Sequence, residues 1–261
     1  MKKLGDSTTQ EKIQKMMTEH IADCLYMCID LEVYGITDPN VEFYYNENNG
    51  NIDTVIMRYY DSIRLYSSDI GPICNECVEF IRSFKPMAIC GQSSIIKVLE
   101  SYFSEYEPEY GIIISNNKYT EFKQFELITQ AGIQDVKEIA ELMFSTEEFS
   151  RNNTISTLEK QLLDRMKMGM GRNYIIRENG AVVAHSAIVA EYGDYAIESG
   201  LVVREDCKKK LYGMIIHQYI IKQLTLENKV LFGIRYNNGM RKNAKAEKLN
   251  ILSECGRLIP R

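Results

Sequence analysis

The chain has 261 residues, 45% hydrophobic and 26% charged, with a net charge of −5 and a pI near 5.4. That size allows one large domain or two smaller ones, and the acidic balance argues against nucleic acid as a partner, because a binding face must be basic to neutralise phosphates. No stretch approaches the roughly 20 apolar residues that span a bilayer, so no membrane partner is expected. The start, MKKLGDSTTQEK, has two lysines but no apolar run behind them; no signal peptide is expected, and the protein is expected to be cytoplasmic. Seven cysteines, an odd count, then fit reduced thiols better than a disulfide framework.

In chain order, Ile13, Met16, Met17, Ile21, Cys24, Leu25 and Cys28 recur at spacings of three and four, which predicts an amphipathic helix over residues 9–31. β-rich runs follow at 41–45, 52–60 and 63–66, with Asn49-Gly50 as a hairpin turn. A helix is expected from about Pro72, then a strand at 87–90, a helix over 92–103 and a strand at 112–115. The polar stretches 102–110 and 116–123 read as connections. The domain boundary is placed in the second, giving an N-terminal α/β domain over 1–120 and a second domain over 121–261.

From residue 125 the pattern becomes regular. A strand at 125–129 leads to helices carried by Ile133, Val136, Ile139, Ala140 and Met143, and by Ile155, Leu158, Leu162 and Met166, the second ending at the glycines of 168–171. Strands at 174–177 and 182–190 flank Glu178-Asn179-Gly180, a tight-turn signal. A strand at 195–203, an apolar helix at 211–226, a strand at 230–236, a short helix at 243–249 and a last strand at 251–258 complete the order β-α-α-β-β-β-α-β-α-β. The fold class is α/β (α+β), a mixed and mostly antiparallel sheet flanked by helices.

Chemistry is suggested most strongly where the strand ending Leu201-Val202-Val203 feeds a helix through a short loop. Such a loop points backbone N–H groups at one spot, and a helix N-terminus carries partial positive charge, so an anion is favoured there. Lys208, Lys209 and Lys210 precede Leu211, Tyr212 and Gly213, and three cations at a helix start call for an anion. The plainer reading is a solvated turn. Cys74 and Cys77 form a Cys-x-x-Cys at a helix start, open to redox or, with Cys24 and Cys28, to metal use; simple packing of the thiols is the alternative. His185 reads as a structural strand histidine. Cys90-Gly91-Gln92-Ser93-Ser94 reads as either an anion loop or an N-cap.

Three stretches over residues 125–261 resemble the GCN5-related N-acetyltransferase superfamily. The hairpin Tyr-Ile-Ile-Arg-Glu-Asn-Gly-Ala-Val-Val-Ala (174–184) is similar to the family's "yvieedGkiVg". Lys208–Gly213 takes the place of the [QR]-x-x-G-x-[GA] loop, with Leu211 at the first glycine position. Residues 243–251, Asn-Ala-Lys-Ala-Glu-Lys-Leu-Asn-Ile, resemble "N-x-x-A…Y-x-K-L-G-F".

The resemblance implies an acyl-CoA N-acyltransferase fold, acetyl-CoA as acyl donor, no metal, and a primary amine of a small molecule or peptide as acceptor. It implies that Lys208, Lys209, Lys210, Leu211, Tyr212, Gly213 and Met214 hold the pyrophosphate. Val202, Val203 and Asn238 would line the pantetheine arm, in a gap where the strand before the loop splays from the next. Glu198 is the carboxylate placed as base, one residue out of register with the family's glutamate position, which falls at Ile197. The family's tyrosine acid falls at Ala246, leaving Tyr212, Tyr219 and Tyr236 as substitutes. The first 120 residues resemble the extensions of some bacterial two-domain members, with a degenerate copy of the same fold as one reading of them and walling of the acceptor cleft or homodimerisation as their expected role. A catalytically degenerate module that binds CoA or another ligand, or serves only for interaction, is the alternative function.

Overall fold

The computed structural model describes residues 1–48, 50–68, 75–151, 153–236 and 249–261. The chain divides into two compact units, Met1–Ile114 together with Ile234–Arg261, and Ser115–Gly233.

The first unit contains β1 (Lys2–Lys3), α1 (Ser7–Glu19), α2 (Ile21–Tyr34), β2 (Val41–Asn48), β3 (Asn51–Tyr59), β4 (Ser62–Ser67), α3 (Asn75–Ser83), β5 (Ala88–Gln92), α4 (Ser93–Glu100), β6 (Tyr106–Asn116) and β12 (Asn250–Pro260). Its strands lie in the order β1-β2-β3-β4-β5-β12-β6. The strands β1 to β4 pair antiparallel, β4 and β5 pair parallel, and β5 pairs antiparallel with β12.

Two expectations change here. The single helix over 9–31 is broken at His20, whose φ of −120° and ψ of 41° lie outside the helical region, so it becomes α1 and α2. More than half of the polar stretch 102–110 is strand, since β6 begins at Tyr106, which is buried, while Glu107 and Tyr110 are exposed.

The second unit contains β7 (Ile128–Gln130), α5 (Val136–Phe144), α6 (Glu147–Ser150), α7 (Ile155–Lys167), β8 (Arg172–Glu178), β9 (Ala181–Tyr192), β10 (Tyr195–Val203), α8 (Tyr212–Leu226) and the start of β11 (Val230–Tyr236). Its strand order is β11-β10-β9-β8-β7. All neighbours are antiparallel except β10 and β11, which run parallel. The strand expected at 125–129 is instead a 3-10 turn, Lys123–Leu127, followed by β7.

On one face of this sheet, Ile215, Ile216, Ile220, Ile221 and Leu224 of α8 pack on Tyr174, Ile176, Ala184, Ile188 and Ala196. On the other, Ile139, Ala140, Leu142 and Met143 of α5 and Leu158 of α7 pack on Ile175, Val182 and Val202. Alternation along β8 thus sends Tyr174 and Ile176 one way and Ile175 the other, as a strand requires.

Both units repeat one order: a strand, helices, three antiparallel strands, a helix, then a strand parallel to the third. The mixed, mostly antiparallel sheet flanked by helices holds throughout. Contacts divide the chain at 114/115, a few residues from the boundary read from the sequence. They also return residues 234–261 to the first unit, because β12 pairs with β5 through Cys255–Gln92, Gly256–Gly91, Arg257–Cys90 and Leu258–Ile89. Gly256 lets α4 lie close over β12, since a Cβ there would stand 3.1 Å from Ile96.

Candidate functional site

In the second unit, the ladder between β10 and β11 consists of Tyr195–Val230, Ala196–Leu231 and Ile197–Phe232 and stops there. Among the described residues, Glu198 to Val203 of β10 pair with β9 alone, and the register with β9 shifts between Ser199 and Val202. The shift leaves Gly200 and Leu201 opposite one residue of β9, a bulge that turns backbone groups out of the ladder. Gly200 sits at φ 73°, where a side chain would be strained, and a Cβ there would stand 3.1 Å from His185 Cε1. Val202 is buried against the α5 side, so only its main chain is open to a ligand; Val203 is half-buried on the α8 side.

Beyond β10, residues Glu205–Lys210 form a 3-10 turn, Leu211 takes φ 62° and ψ 18°, and α8 begins at Tyr212. The left-handed residue is what re-aims the chain into the helix. Glycine adopts that conformation freely, and leucine does so here at a cost of about 1–2 kcal/mol. Leu211→Gly is therefore expected to leave stability unchanged or raise it by up to about 1 kcal/mol, after allowing for the greater freedom of glycine in the unfolded chain. Leu211→Val is expected to lower it; urea denaturation of both variants is the check.

Leu211 at the N-cap has no polar side chain to cap α8, and among the described residues no other side chain does so, which leaves its first-turn N–H groups as donors. Gly213 lies close to β10, where a Cβ would approach Val203 Cγ2 to 3.2 Å. Leu201, Leu211 and Met214 around this helix start are all exposed.

The lysines are less free than the sequence suggests. Lys208 pairs with Glu205. Lys210 Nζ lies 2.6 and 2.7 Å from the two oxygens of Glu178 at the end of β8, and Tyr212 Oη donates to the same carboxylate. Hydrogen bonds from Lys210 and then Tyr212 hold the Glu178 carboxyl below its usual range. Glu178 thereby fastens the loop to the β8–β9 hairpin, a role with no local signal in the sequence. Among the described residues Lys209 makes no ion pair.

Glu198 is the first β10 residue beyond the ladder. It points to the α8 face, two residues from Ala196 of that core, while Ile197 is buried on the opposite side. The Glu198 side chain is only 9% exposed; Oε1 accepts from Ser186 Oγ at 2.8 Å and Oε2 from His217 Nδ1 at 2.5 Å. His217, on α8 and 20% exposed, was not singled out in the sequence, and the signal was only its place one turn into an apolar helix.

His185 is buried, with Nδ1 2.8 Å from the Gly200 carbonyl oxygen and Nε2 3.0 Å from the Asn173 amide. Burial pushes its pKa down to about 4, against the raising effect of the Gly200 bond. The unfolded chain, with an ordinary histidine near 6.5, binds the proton first. The His185 contribution is therefore complete above pH 6.5 and declines as pH falls toward 4, by roughly 3 kcal/mol in all. His185→Gln is expected to flatten that part of the stability–pH curve measured by urea denaturation.

The tyrosine substitutes are engaged elsewhere. Tyr212 is on Glu178, Tyr219 packs edge-on against Phe125 and Tyr174, and Tyr236 belongs to the first unit, stacked with Arg257. Asn238, Ala246 and Cys74 lie outside the described residues. Cys24, Cys28 and Cys77 are buried. Burial pushes the Cys28 thiol up to about 12 and raises that of Cys24 still further, so these thiols are unreactive. Among the described residues no cluster of three metal-ligating side chains occurs, and no helix is long and apolar enough to cross a membrane.

No protein-family sequence model matches the chain, and no curated protein matches it in sequence. Solved structures do. A Drosophila protein superposes with a TM-score of 0.69 at 10% identity, covering 100% of this chain and 98% of its own. An acetyltransferase of the GNAT family from Colwellia psychrerythraea gives 0.59 at 8% identity, covering 100% and 99%. A tandem GNAT protein from the clavulanic acid biosynthesis pathway gives 0.58 at 10% identity, covering 98% and 96%. At these identities the likeness is one of fold, and the fold that this chain adopts is the acyl-CoA N-acyltransferase fold of the GCN5-related N-acetyltransferases.

Proposed function

We propose that the second unit transfers an acyl group from acetyl-CoA to a primary amine of a small molecule or peptide. The observation that carries this reading is the end of the β10–β11 ladder at Ile197, followed by the uncapped start of α8. Parted parallel strands leave main-chain donors on the β10 edge without ladder partners, and a helix start supplies the anion site beside them. The N–H groups of Tyr212, Gly213 and Met214 receive the diphosphate, and Lys209 adds Coulombic attraction. Exposed Leu201, Leu211 and Met214 lie against the apolar parts of the pantetheine arm, with Val202 and Val203 offering main-chain contacts. Asn238 belongs to the same group of cofactor residues.

The acceptor amine attacks the thioester carbonyl carbon only when neutral, so a base must take its proton. His217 is that base and Glu198 its partner: the carboxylate accepts from Nδ1, which leaves the Nε2 lone pair as the proton acceptor. The C–N bond forms and the C–S bond breaks; of the two protons that the ammonium gives up, the first leaves through His217 to solvent and the second, lost as the amide forms, goes to the leaving thiolate. Backbone N–H groups at the Gly200–Leu201 bulge stabilise the developing oxyanion.

A second reading has a specific observation behind it. Glu178 occupies Lys210 and Tyr212, and Leu211 stands where glycine would let a diphosphate approach; both fit a module that binds CoA or another ligand without turnover. A thiol-release assay with acetyl-CoA and a panel of primary amines separates the two. Release of free CoA that depends on the amine supports transfer, whereas saturable acetyl-CoA binding with no release selects the binding module.

The repeat of the element order suggests that residues 1–120 derive from a second copy of the same fold, with 121–261 as the catalytic copy. The cytoplasm is the expected location, and homodimerisation through the first unit is part of the same proposal.

A further inference from the structure

In the first unit, three side chains stand in a row across the sheet. Arg64 on β4 is the register partner of Cys90 on β5, and Cys90 is the partner of Arg257 on β12. Partners in register share a face, so two guanidinium groups flank one thiol. The opposite face carries Ile63, Leu65, Ile89 and Leu258, which form the apolar core with α3 and α4. On the polar face, Tyr26 of α2 stacks on Arg64 at 4.2 Å, and Tyr236 stacks on Arg257 at 4.3 Å.

The two arginines differ in what satisfies them. Arg257 directs Nε and Nη2 to Glu109 Oε2, at 2.7 and 2.6 Å. Among the described residues Arg64 has no carboxylate at ion-pair distance and no hydrogen-bond acceptor; the Tyr26 ring covers its guanidinium, and Cys90, Tyr236 and Asp30 lie near enough to act on its charge. Burial works against its charge more strongly than any single neighbour does, but Cys90, Tyr26, Tyr236 and Asp30 together outweigh it and raise the pKa, so the guanidinium stays charged; it is half-buried, not sealed from solvent. A side chain both deep and accessible lines a recess. Stacking occupies the face of a guanidinium and leaves its in-plane donors pointing outward, and a desolvated charge without acceptors is unfavourable. Asp30, buried on α2, acts on Arg64 electrostatically. Its negative charge favours a singly charged ligand over a dianion.

We propose that this recess binds a small monocarboxylate, its two oxygens taken side by side by the in-plane donors of Arg64. The pairing follows from shape, since the planar fork of arginine matches the two oxygens of a carboxylate. The site lies wholly within the first unit and is independent of acyl transfer by the second.

The test uses acetate as the probe on the full chain. Thermal unfolding in sodium acetate, compared with sodium chloride at equal ionic strength, is expected to rise by about 2–4 °C. Arg64→Met keeps the aliphatic stem and removes the charge; it is expected to unfold at a higher temperature than the wild type in chloride and to show no acetate shift. Should that variant fail to fold, Arg64→Lys keeps the charge and loses the fork. In that case the NMR line width of methyl-labelled acetate is expected to report binding at least about tenfold weaker than to the wild type. Equal midpoints in acetate and chloride, an acetate shift that survives in Arg64→Met, undiminished acetate binding by Arg64→Lys, or a larger shift with inorganic phosphate than with acetate would each overturn the proposal.

Discussion

Glu198→Gln is expected to lower kcat by about 10²–10⁴-fold while leaving the KM for acetyl-CoA within about twofold. The substitution keeps the shape of the side chain and its acceptor for Ser186 Oγ. What it changes is the proton on His217. The carboxylate accepts from His217 Nδ1 at 2.5 Å, so Nε2 carries the lone pair. An amide donates to Nδ1 instead, which moves the ring proton to Nε2 and turns the base into a donor. Because the role lost is removal of a proton from the amine, the deficit is expected to shrink as pH approaches the amine's own pKa, where the neutral amine is already abundant. Steady-state thiol release over a pH series measures both effects. An unchanged kcat at neutral pH would make Glu198 a structural carboxylate, buried between Ser186 and His217 for packing alone.

Met214→Asp is expected to act with opposite signs on folding and on binding. Met214 is exposed in the first turn of α8, where a carboxylate stabilises the helix by about 0.3–1 kcal/mol through the macrodipole and the unpaired N–H groups. The same carboxylate occupies the place assigned to the diphosphate and repels it. Affinity for acetyl-CoA is expected to fall at least about 100-fold, while the urea midpoint stays level or rises. A loss of both stability and binding would mean only that the helix start had been damaged. Retained affinity would place the cofactor elsewhere.

Much of the second unit was legible in the sequence because its signals are local. The period-two alternation of β8 and β9 and the tight turn at Asn179-Gly180 need no tertiary context. The strand 195–203 and the strand 230–236 match β10 and β11 residue for residue, and the helix read at 211–226 begins one residue later. The order of elements carried the fold, and the solved structures agree with it at 8–10% identity.

What was missed depends on partners distant in the chain. Residues 106–110 looked like part of a connection because they are polar, although they open β6, Tyr106–Asn116, which is paired in the sheet. Nothing local marks residues 250–260 as a strand of the first unit rather than the second; that is decided by pairing with β5, more than 150 residues earlier in the chain. At the candidate site, Lys208, Lys209 and Lys210 promised three free cations, and two of them are held by carboxylates. Glu198 was visible as a carboxylate on the right strand. Its partner His217 was not, because one polar residue in an apolar helix looks like any other until the strand opposite is known. Leu211, at the first glycine position of the motif it resembles, lies at positive φ, which nothing local in the sequence announces.

The central claim is that the start of α8, beside the parted strands β10 and β11, holds an acyl-CoA diphosphate. Isothermal titration of the full chain with acetyl-CoA tests this most directly. A single saturable site, filled well below millimolar ligand and weakened at least about 100-fold by Met214→Asp, is the result expected. No heat of binding at millimolar acetyl-CoA, or equal affinity in Met214→Asp, would contradict it.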